Sequence, residues 1–287
     1  MPALFHKMVV AGVGLIGASL ALAARERGLV EEIVGYGRSE KNLRFARDKK
    51  MIDSYFSQPW EIPEDTDFLV LGTPVQATVP LMEDFMGRLR TGCIISDVGS
   101  VKAEIVRGME KLLPPTLPFV GAHPIAGGEQ WGAEPARADL FIGQRCILTP
   151  TKKTDPAALE KVSTLWKKVG AKVEELDADT HDKILGLVSH LPHVLVYGLV
   201  NFMNRARVNS TEVIEYCGGG FKDFTRIASS RPELWRDICL LNREAVSGGL
   251  ADYIKELEKL KRLVDEGKGP ELEREFALAN EARRRLS

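Results

Sequence analysis

The chain has 287 residues, 39 Lys and Arg against 40 Asp and Glu, and a formal net charge of −1. Near-neutrality without any block of like charges argues against a nucleic-acid partner, and 44% hydrophobic with 28% charged residues is the composition of a folded globular protein, long enough for two domains. Cys93, Cys146, Cys217 and Cys239 stand far apart with no C-x-x-C spacing, so no metal site and no disulfide framework is expected, and the cysteines read as packing residues in a reducing cytoplasm.

The first element is an apolar run over residues 8–24, MVVAGVGLIGASLALAA, preceded by Lys7. It has the look of a secretory signal peptide, but it is short for a membrane span, and three glycines would each weaken a helix by about 1 kcal/mol. Those glycines are Gly12, Gly14 and Gly17, in the order G-V-G-L-I-G directly after Met8-Val9-Val10-Ala11. Strand, glycine turn and helix in that order form a dinucleotide cradle. The first glycine allows the turn, the second lets a pyrophosphate approach, and the third lets the helix pack on the strand. Leu15 and Ile16 open the helix, whose N-terminal N–H groups face the phosphates. Gly28 sits where a C-cap belongs, and a second strand ends at Tyr36.

That strand leads to Gly37-Arg38-Ser39, where an NAD-specific site usually carries a carboxylate for the ribose. Arg38 could pair with a 2′-phosphate and Ser39 could donate to it. Equally, Arg38 could stack on the adenine while Ser39 caps the next helix. NADP is therefore expected to be accepted alongside NAD.

Alternation continues with a buried strand over 67–71, then Gly72-Thr73-Pro74, a helix over 76–89, a strand over 93–97, and a helix reaching Leu113. A further strand begins at Phe119 and ends at His123-Pro124. Repeated βαβ units predict a doubly wound, mainly parallel sheet, with Thr73, Pro74, Ser100 and His123 at the carboxyl edge where ligands collect. A helix over 155–169 and a short strand over 171–175 follow, and beyond Asp177 every segment reads as helical.

Residues 184–203, ILGLVSHLPHVLVYGLVNFM, are as apolar as a membrane span but are interrupted by Ser189, His190, Pro192, His193 and Asn201. A helix buried on several sides, or at an oligomer interface, explains the run better. The three-residue step puts His190 and His193 on one helical face. Two loops combine approachable backbone with polar side chains, His123-Pro124-Ile125-Ala126-Gly127-Gly128-Glu129 and Gly218-Gly219-Gly220-Phe221-Lys222-Asp223-Phe224-Thr225-Arg226. Tyr253, Leu257, Leu260 and Val264 follow a 4-3-4 spacing suited to packing against another helix.

With GVGLIGASLA near the start, DVGSVK from Asp97, GAHPIAGGE from Gly121, SHLPH from Ser189 and GGGFKDFTRIA from Gly218, the chain resembles the prephenate and arogenate dehydrogenases of tyrosine biosynthesis over nearly its whole length. The resemblance implies a Rossmann domain over residues 1–176 and an all-helical, homodimer-forming domain over residues 177–287. It also implies NAD(P)-dependent oxidation at C4 of the substrate ring with loss of the ring carboxylate. By the same likeness His123 would take the C4 hydroxyl proton and Ser100 would hold that hydroxyl. Arg226 would bind a substrate carboxylate, His193 and Ser189 would line the pocket, and Glu129 and Trp235 would close it. One departure is Gly128, where relatives often carry a hydroxyl residue, which bears on whether prephenate or arogenate is preferred; prephenate is the expectation.

No fused mutase or regulatory domain is expected, because the first strand starts by Met8 and the C-terminal stretch is helical. A β-hydroxyacid dehydrogenase would want a catalytic lysine, for which only Lys183 is placed. A nucleotide sensor without catalysis would not need His123, Ser100 and Arg226 together.

Overall fold

The computed structural model describes residues 2–286. The first sheet is built from β1 (Phe5–Ala11), β2 (Val30–Tyr36), β3 (Ser54–Phe56), β4 (Phe68–Leu71), β5 (Ile94–Asp97) and β6 (Phe119–Val120), connected by α1 (Leu15–Glu26), α2 (Glu40–Asp48), α3 (Val75–Met86) and α4 (Ala103–Leu112). Its order is β3-β2-β1-β4-β5-β6, and every pairing is parallel. This is the doubly wound arrangement whose order reverses beside β1, leaving a crevice at the carboxyl ends of β1 and β4.

β1 shows why its sequence is uninterrupted. Met8 and Val10 enter one core with Leu20 and Ile33, while Val9 and Ala11 enter the other with Leu69 and Met82. A strand covered on both faces has no polar side to display, and the apolar run over residues 8–24 is the end of β1, the glycine turn and most of α1. Gly28, at φ +60°, ends α1 in the left-handed conformation glycine favours.

The strand expected to run to Pro124 is broken at Gly121. β6 stays in the first sheet, whereas β7 (Ala122–Pro124) pairs antiparallel with β8 (Arg145–Leu148). β8 in turn pairs parallel with β9 (Lys172–Glu175), reached through α5 (Pro156–Lys168). Gly121 accepts a hydrogen bond from the Thr149 N–H at 2.9 Å, and a Cβ at Gly121 would lie 2.4 Å from Thr149 Oγ1. Only glycine lets the two sheets meet that closely. His123 therefore sits within a strand of the second sheet, and not at the start of a loop on the parallel edge.

α6 (Ala178–Leu185) and α7 (Leu191–Arg205) are joined by a π-turn over Gly186–His190. Pro192 lies in the first turn of α7, where its missing N–H costs nothing, and Leu191 N–H reaches back to Gly186 O across the wider turn. The apolar run is not covered on several sides within the chain. His190, Leu191 and Val196 are buried, but Leu187, Val188 and Phe202 are exposed. Ala178–Arg205 is the one stretch among the described residues long and apolar enough to cross a membrane by length and composition, and 22% of its most apolar window is buried.

Helical character after Asp177 has one exception, a two-residue antiparallel pair of β10 (Arg207–Val208) and β11 (Thr211–Glu212), turned by Asn209 and Ser210, both at positive φ. α8 (Gly219–Thr225) and α9 (Pro232–Leu241) follow, and α9 adds Ile238 and Trp235 to the core shared by Met82 and Phe85. All of this belongs to one compact unit, Met1–Asn242.

A second compact unit, Arg243–Ser287, holds α10 (Arg243–Asp265) and α11 (Gly269–Arg284). The two helices pair with each other, with Lys259 Nζ 2.7 Å from Glu275 Oε2. Of the 4-3-4 positions only Leu260 is half-buried; Tyr253, Leu257 and Val264 are exposed.

Candidate active site

The glycine turn fits a dinucleotide. At Gly12, φ is +104° and a Cβ would lie 2.4 Å from Gly72 O, while at Gly17 a Cβ would lie 2.4 Å from Gly12 O. These two glycines hold β1, β4 and α1 together. Gly14 is different. It caps α1 without a side-chain hydrogen bond, and nothing lies within 4 Å of where its Cβ would be. That open space sits over the first-turn N–H groups, where a pyrophosphate would bind. Gly12→Ala is expected to destabilise the fold by about 2–3 kcal/mol through backbone strain. Gly14→Ala should leave stability within about 0.5 kcal/mol yet weaken dinucleotide binding, and urea unfolding beside cofactor titration separates the two.

Two cavities flank this turn. One, of about 410 Å³, is lined by Gly12, Gly14, Gly37, Arg38, Ser39, Thr73 and Pro74, with Trp131. The other, of about 420 Å³, is lined by Leu15, Ile16, Gly17, Ser100, Gly128 and Asp237, and shares Gly14, Arg38, Thr73, Pro74 and Trp131 with the first. Every residue expected at the cofactor thus falls on one wall or the other. Ser39 does cap α2, accepting from Asn42 N–H at 3.4 Å, and its own hydroxyl proton is free to donate elsewhere. Trp131 was not foreseen. It is 72% exposed, and the Arg231 guanidinium lies 5.4 Å from its ring centroid.

His123, His193, Ser189, Arg226, Glu129 and Trp235 lie outside the walls of those two cavities. Five of them are linked in two groups. The Arg226 guanidinium donates to Glu129 Oε1, which joins the two loops picked out in the sequence across 97 residues. His193 stacks on Trp235 with ring centroids 3.4 Å apart, and His190 meets the same indole edge-on at 6.1 Å. Both histidines of the three-residue step therefore address one aromatic ring. Ser189 is half-buried, and its carbonyl lies 2.9 Å from His193 Nδ1.

Behind His123 stands a set of buried polar groups that periodicity did not reveal. Lys102 and Asp97 are both fully buried; Lys102 Nζ donates to Asp97 Oδ2 and to Ala122 O, the latter at 2.9 Å. Asp97 also accepts from the N–H groups of Gly99 and Ala122. This cluster ties the segment carrying Ser100 to the residue before His123. His123 Nδ1 lies 2.8 Å from His181 Nε2, and His181 Nδ1 lies 2.8 Å from Asp182 Oδ1. Asn242 Nδ2 donates to Asp182 O at 2.7 Å and to His190 Nδ1 at 3.1 Å. His181 and Asp182 are adjacent in ADTHDKIL, the first helix after the Asp177 N-cap. A His-Asp pair placed just ahead of the histidine-rich run was the available signal.

Burial holds the His123 imidazole well below its ordinary value, and the nearby His181, Lys102 and His190 act in the same direction. It is neutral at pH 7 and able to accept a proton. Burial also pushes His190 down to about 4. Because unfolded His190 would protonate near 6.5, the unfolded state binds more protons between pH 6.5 and 4, so stability falls as pH drops through that window. A loss of ~3 kcal/mol is expected from this group, read as the difference between wild type and His190→Gln in urea unfolding at pH 7 and pH 4.5.

Among the described residues no group of three or more His, Cys, Asp or Glu side chains is placed to hold a metal ion.

Known proteins match this chain over both of its parts. Residues 20–175 match the family described as "Prephenate dehydrogenase, nucleotide-binding domain", and residues 177–278 match "Prephenate dehydrogenase, dimerization domain". A prephenate dehydrogenase of Bacillus subtilis is 32% identical over 277 residues, covering 96% of this chain and 75% of that protein. A cyclohexadienyl dehydrogenase of Zymomonas mobilis is 32% identical over 280 residues, covering 97% and 95%. The crystal structure of the Aquifex aeolicus prephenate dehydrogenase in complex with hydroxyphenyl propionate and NAD+ superposes with a TM-score of 0.94 at 35% identity, covering 98% of each chain. A glycine cradle at the switch of a parallel sheet, a buried neutral histidine in the second sheet, and matches over both parts of the chain converge: the chain belongs to the prephenate dehydrogenase family.

Proposed function

We propose that this protein is an NAD(P)-dependent prephenate dehydrogenase, converting prephenate to 4-hydroxyphenylpyruvate and CO2 in tyrosine biosynthesis. The observation that carries the reading is the buried Lys102–Asp97 pair, which pins Ala122, and with it His123, to the segment bearing Ser100 on the cofactor cleft wall. His123, neutral and short of protons, accepts the proton of the C4 hydroxyl. Ser100 donates to or accepts from the same oxygen and holds the ring in place. Bound NAD(P)+ supplies the acceptor for the hydride leaving C4. As the C1–carboxylate bond breaks, its electron pair enters the ring, which becomes aromatic, CO2 leaves, and the C4 oxygen takes its proton back from His123 to give the phenol.

Arg226 receives a substrate carboxylate. Its guanidinium is exposed and already oriented by Glu129, and a planar fork can make two charge-assisted bonds to a carboxylate. His193, Ser189 and Trp235 frame the substrate beside it. Arg226→Ala is expected to raise the KM for prephenate about 10- to 100-fold, the worth of a charge-assisted hydrogen bond, with a smaller change in kcat; steady-state kinetics in which KM stays put would place the carboxylate elsewhere.

Both NAD and NADP are accepted in this reading, since Arg38 lines both cavities and no carboxylate stands at Gly37-Arg38-Ser39. Gly128 leaves the substrate tail without a side-chain contact, which makes arogenate the second substrate to test. A two-by-two assay of prephenate and arogenate against NAD and NADP decides these points, and absence of turnover with all four pairs would sink the enzymatic reading.

The two functional parts divide at 176/177, in keeping with family matches that end at 175 and begin at 177. The working form is a homodimer in the cytoplasm, with neither nucleic acid nor membrane as partner. Leu187, Val188, Phe202, Leu257 and Val264, exposed in the single chain, supply apolar surface for a second copy, and the matched family region is described as a dimerization domain.

A further inference from the structure

Asp182 lies on α6, yet it serves the start of α4. That helix has no side-chain cap of its own. Asp182 Oδ1 accepts from the Lys102 N–H at 2.8 Å and Oδ2 from the Ala103 N–H at 2.9 Å. Each carboxylate oxygen thus already receives a backbone N–H, and Oδ1 also faces His181 Nδ1 at 2.8 Å. An ionised carboxylate can only accept, so the proton of that contact belongs to His181 Nδ1. With its proton there, a neutral His181 has its lone pair on Nε2, which faces His123 Nδ1 at 2.8 Å. The proton of this second contact then belongs to His123 Nδ1, and the lone pair of His123 is left on Nε2. His181 is fully buried and Asp182 is 5% exposed, so water does not compete for these bonds.

We propose that His181 and Asp182 are positioning residues that fix the tautomer of His123, holding its proton on Nδ1 so that Nε2 is the atom that accepts the substrate proton. This rests on the prephenate dehydrogenase reading, in which His123 is the base. Nothing is consumed in the relay. The hydroxyl proton arrives at His123 Nε2 while the Nδ1 proton stays in its bond to His181, and the imidazolium charge is balanced by the Asp182 carboxylate one imidazole away. The same carboxylate holds the N–H groups two and three residues beyond Ser100, so one side chain sets both groups that address the substrate hydroxyl.

The test uses the full chain labelled with 15N-histidine, with NAD+ bound. In the wild type, two-bond 1H–15N correlations are expected to show both His123 and His181 as Nδ1–H tautomers, with downfield, slowly exchanging ring N–H protons. His181→Phe removes the acceptor, and His123 is expected to redistribute towards the Nε2–H form. Its kcat should fall by between about 100-fold and the roughly 10^4-fold lost when a base is held wholly in the wrong tautomer, while the KM for prephenate and the Kd for NAD+ stay within about threefold. Asp182→Asn should lower kcat in the same direction, because its amide can donate to His181 Nδ1 and reverse the chain of protons. A wild-type His123 found as Nε2–H overturns the proposal, and so does a folded His181→Phe enzyme with kcat within threefold of wild type. If neither variant folds, the wild-type tautomer alone decides. Wild-type protein that fails to oxidise prephenate would instead overturn the underlying reading, whatever the tautomer.

Discussion

His123→Asn is expected to lower kcat by about three orders of magnitude, within the range by which a positioned base accelerates proton transfer, while NAD+ binding is retained. Asparagine keeps a polar group of similar reach but has no nitrogen lone pair to accept the proton. Cofactor affinity should survive because His123 is not on the wall of either cavity beside the glycine turn. The pH profile carries a second signature. Burial, reinforced by His181, Lys102 and His190, depresses the His123 pKa, so the base stays unprotonated as pH falls. The wild-type kcat should therefore hold steady from pH 8 down past 6.5, where an ordinary histidine would already be half protonated. Stopped-flow turnover across that range reads it directly, and a midpoint at or above 6.5 would mean that another group is the base.

Lys102→Met is expected to cost about 3–5 kcal/mol of folding stability, the penalty for leaving one half of a buried ion pair without its partner. The shape of the site makes the loss large. Lys102 and Asp97 are both without solvent exposure, and Met fills the methylene volume but cannot donate to Asp97 Oδ2 or Ala122 O. Adding Asp97→Asn removes the orphaned charge, so the double variant should be more stable than Lys102→Met alone. Urea unfolding of the three proteins against wild type measures the coupling. Catalysis should suffer as well, since this pair ties the Ser100 segment to β7. Loss of the Lys102 charge also removes one cause of the low His123 pKa, so the acid limb of kcat is expected to move up in the variant. If stability is unchanged, the pair is not the tie between sheet edge and base.

The parallel sheet was legible because its strands are covered on both faces. Met8-Val9-Val10-Ala11 and Phe68-Leu69-Val70-Leu71 are unbroken apolar runs, each closed by a glycine that the next turn requires. The glycine turn was legible as well, since Gly12 and Gly17 answer to local backbone crowding. Break points were harder to see. A transfer of the chain between sheets at Gly121 depends on Thr149, 28 residues away, and the π-turn before Pro192 leaves no mark in a 3.6-residue period. The cover over residues 184–203 was not legible, because an apolar face looks the same in sequence whether its cover is the same chain or a second copy.

By itself the sequence determined the glycine cradle and the alternation that yields a doubly wound sheet, because these are set by backbone sterics and local periodicity. Only the tertiary structure decided that His123 belongs to a second sheet and that His193 stacks on Trp235. It alone decided that Asp182 reaches across 80 residues to cap α4 while its neighbour His181 touches His123. Such contacts join residues far apart in sequence, and the free energy of a buried hydrogen bond depends on which partner the fold brings to it. No spacing along the chain records that choice.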